Sequence, residues 1–178
     1  YARAHPGEVS FASAGTGGTS HLGMEMFKSL SKTEVIHVPY KGSSGSVNDL
    51  ISGQVSAMFS SLPSLQGIAD KGLVRVLAAT STSTSPATKA LPLMSAALPG
   101  FDYTTWYALY APLATPSAVV RQINAAVRKA LGDPALEARL EPHGVELLGS
   151  APEEVAVWVQ RDTEKWGRIV REAGVKLE

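Results

Sequence analysis

Ser13-Ala14-Gly15-Thr16-Gly17-Gly18-Thr19-Ser20-His21 stands between a strand candidate at residues 8–13 and a helix that Thr19 or Ser20 can cap and that runs to about Leu30. A second loop of the same kind, Pro39-Tyr40-Lys41-Gly42-Ser43-Ser44-Gly45-Ser46, joins a strand candidate at residues 34–38 to a helix over Ser43–Ser52 that Gly53 closes. The pattern continues through a strand at 54–59, a helix at 62–71 closed by Gly72 and a strand at 73–79. Alternation of this length predicts an α/β fold, a parallel-rich sheet flanked by helices. Free amides at a helix start form a partial positive pole, and glycine lets a ligand approach the backbone closely. Two such loops in one βαβ run predict a cleft for one small anion, and binding rather than bond-breaking.

The whole chain fits that reading. Its 178 residues suffice for one domain, or one domain plus part of another, and 44% hydrophobic content gives a sizeable core. Mean hydropathy is near zero at +0.04. The formal net charge is zero with no basic stripe, which argues against a nucleic-acid footprint. There are no cysteines, so disulfides, thiolate metal sites and cysteine nucleophiles are excluded. No stretch reaches eighteen uninterrupted apolar residues, and Tyr1-Ala2-Arg3-Ala4-His5-Pro6-Gly7 does not read as a signal peptide.

Charge density divides the chain. Residues 1–110 hold 7 Lys/Arg and 6 Asp/Glu, whereas the shorter stretch 111–178 holds 9 and 10. A crossover is expected at Ala111-Pro112-Leu113-Ala114-Thr115-Pro116, where two prolines interrupt any regular element. Before it, 81–86 and 92–100 read as loops and 103–110 as an aromatic strand. Beyond it, a helix starts near Pro116 and stops at Gly132, a short helix spans Pro134–Leu140, and a short strand covers 145–148. A final helix opens after Ser150 with acidic Glu153 and Glu154 in its first turn and repeats Val155, Trp158, Val159, Trp166, Ile169 and Val170 at helical spacing.

Each candidate has a plain alternative. The first loop could be only a tight βα turn, although Thr16, Thr19 and Ser20 add donors beyond what a turn needs. It is neither a P-loop, lacking Gly-Lys-Ser/Thr, nor a dinucleotide fingerprint, having serine at position 20. Lys41 is either a solvated lysine or a cation facing the ligand. Tyr40 either packs in the core or stacks on a ligand edge. His21 either orients its loop or donates to a bound carboxylate or water; His37, on a strand, reads as structural. None of the four histidines has metal-ligand spacing, so neither metal nor cofactor is expected. Serine hydrolysis is disfavoured because no Gly-x-Ser-x-Gly elbow occurs. Trp158 and Trp166 read as packing residues, and Trp106 as hinge or core.

These stretches, together with His37-Val38-Pro39-Tyr40-Lys41-Gly42, Lys71-Gly72, Leu98-Pro99-Gly100, Trp106, Ala111-Pro112, Thr115-Pro116 and Gly144-Val145-Glu146, make the chain resemble the extracytoplasmic solute receptors of tripartite tricarboxylate transporters, the Bug proteins. The resemblance implies a type II periplasmic-binding-protein fold, a small-carboxylate ligand (dicarboxylate, amino acid or aromatic acid), membrane transporter components as partners, and no catalysis. It implies Ser13, Gly15, Thr16, Thr19, Ser20 and His21 on the first loop, and Tyr40 and Lys41 on the second, as ligand-binding residues. Members of that family are longer. Against them, residues 1–108 correspond to the second, ligand-binding lobe and 109–178 to the crossover and C-terminal helical segment of an incomplete first lobe. The helices of that segment are expected to expose apolar faces and to support a homo-oligomer. Ser56 replaces an acid frequent in the family, Pro92-Leu93-Met94-Ser95-Ala96-Ala97 departs from its usual pattern, and an arginine expected in the preceding loop is lacking. The alternative is a ligand-sensing effector domain of a bacterial regulator.

Overall fold

The structure, a computed structural model, describes residues 1–81 and 86–176. Most of the expected loop at 81–86, with its serine-threonine tract, lies outside the described residues. The elements are β1 (Ser10–Ser13), α1 (Thr19–Ser31), β2 (Ile36–Pro39), α2 (Ser43–Ser52), β3 (Ala57–Met58), α3 (Leu62–Ala69), α4 (Pro86–Lys89), α5 (Met94–Ala97), α6 (Ser117–Leu131), α7 (Pro134–Leu140) and α8 (Pro152–Ala173), with a 3₁₀ turn at Glu141–His143.

The described residues form two compact units. The first takes those of Tyr1–Thr82, Leu91–Thr105 and Lys165–Glu178; the second takes those of Ser83–Ala90 and Trp106–Glu164. In the first unit β1 is central in a three-stranded sheet of order β2-β1-β3. Both pairings are parallel, with Phe11 opposite His37 on one side and Ala57 on the other. Parallel pairing requires a crossover between strands, and α1 and α2 supply it. It also brings the carboxyl ends of all three strands to one edge, where α1, α2 and α3 begin.

Residues two apart on a strand share a face, so Phe11 and Ser13 point to the same side of β1. Phe11 there joins a core of Met24, Met26, Val35, Phe59, Phe101, Tyr103 and Ile169, all buried. Phe59 is its aromatic hub. Its ring centre lies 5.6 Å from Phe11, 5.9 Å from Phe101 and 5.6 Å, edge-on, from Tyr103. Trp166 closes the cluster edge-on against Tyr103 at 5.9 Å.

In the second unit, α6 turns Val120, Asn124, Val127 and Leu131 to its less exposed side at helical spacing, while Ile123 is exposed. Asn124 Nδ2 donates to the Ser150 carbonyl at 2.9 Å. The Asp133 side chain caps α7, accepting from the Ala135 amide at 2.9 Å. Trp106 Nε1 donates to the buried Asp162 at 2.7 Å, and its ring meets Trp158 edge-on at 6.2 Å.

Three expected strands are not strands. Residues 73–79 form only one bridge, Ala79 to Leu93. Residues 103–110 and 145–148 have no strand pairing among the described residues. Backbone polar groups need partners, and β-branched or aromatic composition makes a strand only where a neighbouring strand is present. Leu77, Tyr107, Leu109 and Tyr110 accordingly stand exposed. Conversely, a short helix, Met94–Ala97, interrupts the loop expected at 92–100.

Phe59→Ala removes the hub ring. It is expected to lower unfolding free energy by about 3–5 kcal/mol, read as a reduced urea midpoint with an unchanged slope.

Candidate functional site

The two loops singled out by the sequence lie side by side at the carboxyl edge of the sheet. The Tyr40 amide donates to the Ser13 carbonyl at 2.9 Å, and the Gly42 amide to the Ala14 carbonyl at 3.0 Å. The β1–β2 ladder thus extends past the strands and holds the loops together. Glycine is required at both points of closest folding. Gly15 has φ 152° and packs beside the Tyr40 carbonyl, where an added Cβ would sit 3.6 Å from that oxygen. Gly42 has φ 106° and is the N-cap of α2. L-residues with side chains rarely adopt such angles.

Both helices start on glycine. Gly18 caps α1 and Gly42 caps α2, so neither N-terminus receives a side-chain cap. The amides of Thr16, Thr19, Ser20 and His21, and of Ser43, Ser44 and Gly45, have no hydrogen-bond partner among the described residues. Helix N-termini ordinarily satisfy these donors with a Ser, Thr, Asp or Asn cap. Here two positive helix poles and their donors remain on one edge, beside the exposed hydroxyls of Thr16 and Thr19. Free amides at two helix N-termini are the chemistry that suits a small anion.

Other amides of the first loop are spent internally. The Ala14 amide donates to Ser20 Oγ at 3.2 Å, Gly15 to Ser13 Oγ at 3.3 Å, and Gly17 to His21 Nδ1 at 3.0 Å. Because His21 Nδ1 accepts, its proton resides on Nε2, which faces Glu25 Oε1 at 3.5 Å; Lys28 pairs with the same carboxylate at 3.0 Å. Ser13 Oγ lies 2.6 Å from His37 Nε2. The His21 and His37 rings stack face to face, with centres 3.8 Å apart and planes inclined by 5°.

The predicted site residues therefore divide by exposure. Thr16 and Thr19 are exposed and Gly15 is half-buried on the loop, and Lys41 is exposed with no partner among the described residues. Ser13, Ser20 and His21 are buried, with their side chains engaged by the protein. The Tyr40 hydroxyl donates to Asp49 Oδ2 at 2.6 Å, and its ring lies over Gly45, where a Cβ would come within 3.2 Å. That carboxylate beside the hydroxyl raises the Tyr40 pKa. His37 reads from the sequence only as a structural strand residue; the register of β2 and the α1 and α2 spacings place it, Glu25 and Asp49 here. Ser60 and Ser61 stand ahead of α3 at the same edge. Ser61 is the N-cap of α3, and its hydroxyl turns to Ser64 at 2.7 Å rather than capping. No group of three or more metal-ligating side chains occurs among the described residues.

The pattern of the family described as "Tripartite tricarboxylate transporter family receptor" matches residues 1–175. A relative from Pseudomonas sp. strain P51, the "UPF0065 protein in tcbD-tcbE intergenic region", is 38% identical over 96% of this chain and 52% of its own length. Protein BugT of Bordetella pertussis is 30% identical over 99% of this chain and 54% of its own length. The chain thus spans about half the length of both. Among solved structures, "R. palustris Rpa4515 with adipate" superposes with a TM-score of 0.86 at 31% identity, covering 98% of this chain and 59% of that one. "MatC (Rpa3494) from Rhodopseudomonas palustris with bound malate" gives 0.79 at 28% identity, covering 96% and 59%. The periplasmic binding protein BugD also gives 0.79, at 27% identity, covering 100% and 60%. The fold is that of the periplasmic binding proteins, as the sequence resemblance implies.

Burial and the stacked His21 push the His37 pKa down from 6.5 to about 4, and burial also lowers that of His21. Between these pH values the unfolded chain binds a proton that the folded chain refuses. Stability from this source is whole above about pH 6.5 and is lost as pH falls toward 4. The urea midpoint should drop across that window, and the drop should be shallower in His37→Gln.

Proposed function

Because this chain belongs to the tripartite tricarboxylate transporter receptor family, whose members are receptors and not enzymes, we propose that it binds a small carboxylate at the edge formed by residues 13–21 and 40–46. The observation that carries this reading is the pair of glycine-capped helix N-termini at the ends of two adjacent parallel strands, with the amides of both unpartnered among the described residues. A carboxylate would accept from the amides of Thr16, Thr19 and Ser20 and from the Thr16 and Thr19 hydroxyls, with the Gly15 backbone admitting it closely. Lys41 would add a cation from the second loop. Ser13, His21 and Tyr40 would serve by holding those groups in place.

The names of two similar structures, one with adipate and one with malate, support a dicarboxylate as ligand. We place the receptor in the periplasm, handing its ligand to the membrane components of a tripartite transporter. Among the described residues no helix is long and apolar enough to cross a membrane.

Calorimetry with adipate, malate and an uncharged diamide tests this reading. A carboxylate should give saturable heat and the diamide none. Each hydroxyl lost in Thr16→Ala or Thr19→Ala should weaken binding roughly ten- to hundredfold, since hydrogen bonds to a charged group contribute about 1.5–3 kcal/mol. Absence of heat with every carboxylate overturns the proposal for this chain.

Self-association through the C-terminal helices completes the proposal. Val119 and Ile123 on α6 and Val157 on α8 are exposed apolar residues. Light scattering should give a dimer mass, moving to the monomer in Ile123→Glu plus Val157→Glu. A monomer in the parent chain rules the self-association out.

A further inference from the structure

We propose that the stacked imidazoles of His21 and His37 are positioning residues that hold the anion loop rigid, each fixing one of its glycine amides. The inference rests on the carboxylate-site reading and says how that site is kept in shape. A loop with Gly15, Gly17 and Gly18 is conformationally permissive, and ordering it on binding would cost affinity. Something must order it beforehand, and few side chains are available.

Two routes do so. His37, on β2, sits 2.6 Å from Ser13 Oγ, which accepts from the Gly15 amide at 3.3 Å. His21, in the first turn of α1, accepts directly from the Gly17 amide at 3.0 Å. The two routes meet in the ring stack at 3.8 Å, so the register of β2 and the start of α1 are fixed against one another. His21 is itself aligned by Glu25, which Lys28 pairs. Glu25 and Lys28 in turn face Lys32, Glu34 and Glu172 across a groove. His21 is only 5% exposed with both nitrogens engaged, which suits a support and not a ligand contact. The support works only while Nδ1 of His21 is unprotonated, because a protonated Nδ1 cannot accept from Gly17. Burial favours that neutral form.

The test reads amide protection factors by NMR in the ligand-free chain, so it does not depend on binding. His21→Phe and His37→Phe keep a stacking ring and lose the nitrogen. His21→Asn retains an acceptor near Nδ1, and His37→Gln a polar group near Nε2. Protection should fall at least tenfold at Gly17 in His21→Phe and at Gly15 in His37→Phe, with Phe11 and Ala12 of β1 unchanged, and should be largely retained in the Asn and Gln variants. Unchanged protection at both glycines in the Phe variants overturns the proposal. If the Phe variants do not fold, pH decides. Gly17 protection in the parent should fall as pH goes below about 6.5, and less so in His21→Asn; a flat profile in the parent overturns it. Calorimetry with adipate and malate then runs separately. No heat in the parent sinks the receptor reading while the exchange result stands. Where heat is seen, affinity about tenfold weaker in the Phe variants, restored in His21→Asn and His37→Gln, supports the positioning role.

Discussion

Parallel pairing of β1 with both its neighbours is the constraint on which the first unit depends. A central strand flanked by β2 and β3 in the same direction forces every connection to cross over, and it forces α1, α2 and α3 to begin at the same edge. The backbone bonds Tyr40 to Ser13 and Gly42 to Ala14 continue that pairing beyond the strands. Donors from distant parts of the chain thereby come together without any side chain having to reach across. Pairing one strand the other way would leave the glycine caps intact but send one helix N-terminus to the opposite edge, and the two positive poles would no longer add.

The edge also separates two tasks. Loop amides and exposed hydroxyls keep their donors available, while the side chains of the layer beneath them are engaged by the protein. Ser13, Ser20, His21, His37 and Glu25 are each bonded to another protein group. No buried side-chain polar atom is left unpaired among the described residues. An unpaired buried polar group would cost free energy, so the satisfied layer is what allows the layer above it to remain unsatisfied.

Much of this was legible in the sequence, for local reasons. Ser43–Ser52 and Pro134–Leu140 begin and end where capping residues, proline and glycine put them. The glycine-hydroxyl loops also announced themselves through composition. What could not be read were features set by tertiary neighbours. His37 contacts Ser13 because of a strand register, and nothing in residues 34–39 records which residue lies opposite. Residues 103–110 have the composition of a strand, but composition cannot report that no strand pairs with them. His21 has two readings in the sequence, orienting its loop or donating to a ligand; its burial and its bond to Gly17 depend on how α1 lies on the sheet.

The tryptophans give the second unit an optical signature of its own. Trp166 belongs to the first unit and meets a tyrosine, whereas Trp106 and Trp158 both belong to the second and lie edge-on to one another. Two indoles at 6.2 Å are close enough for their excited states to mix. The circular-dichroism couplet of that pair therefore reports on the second unit. Folding of the second unit can thus be followed by its own chromophore pair, without a label.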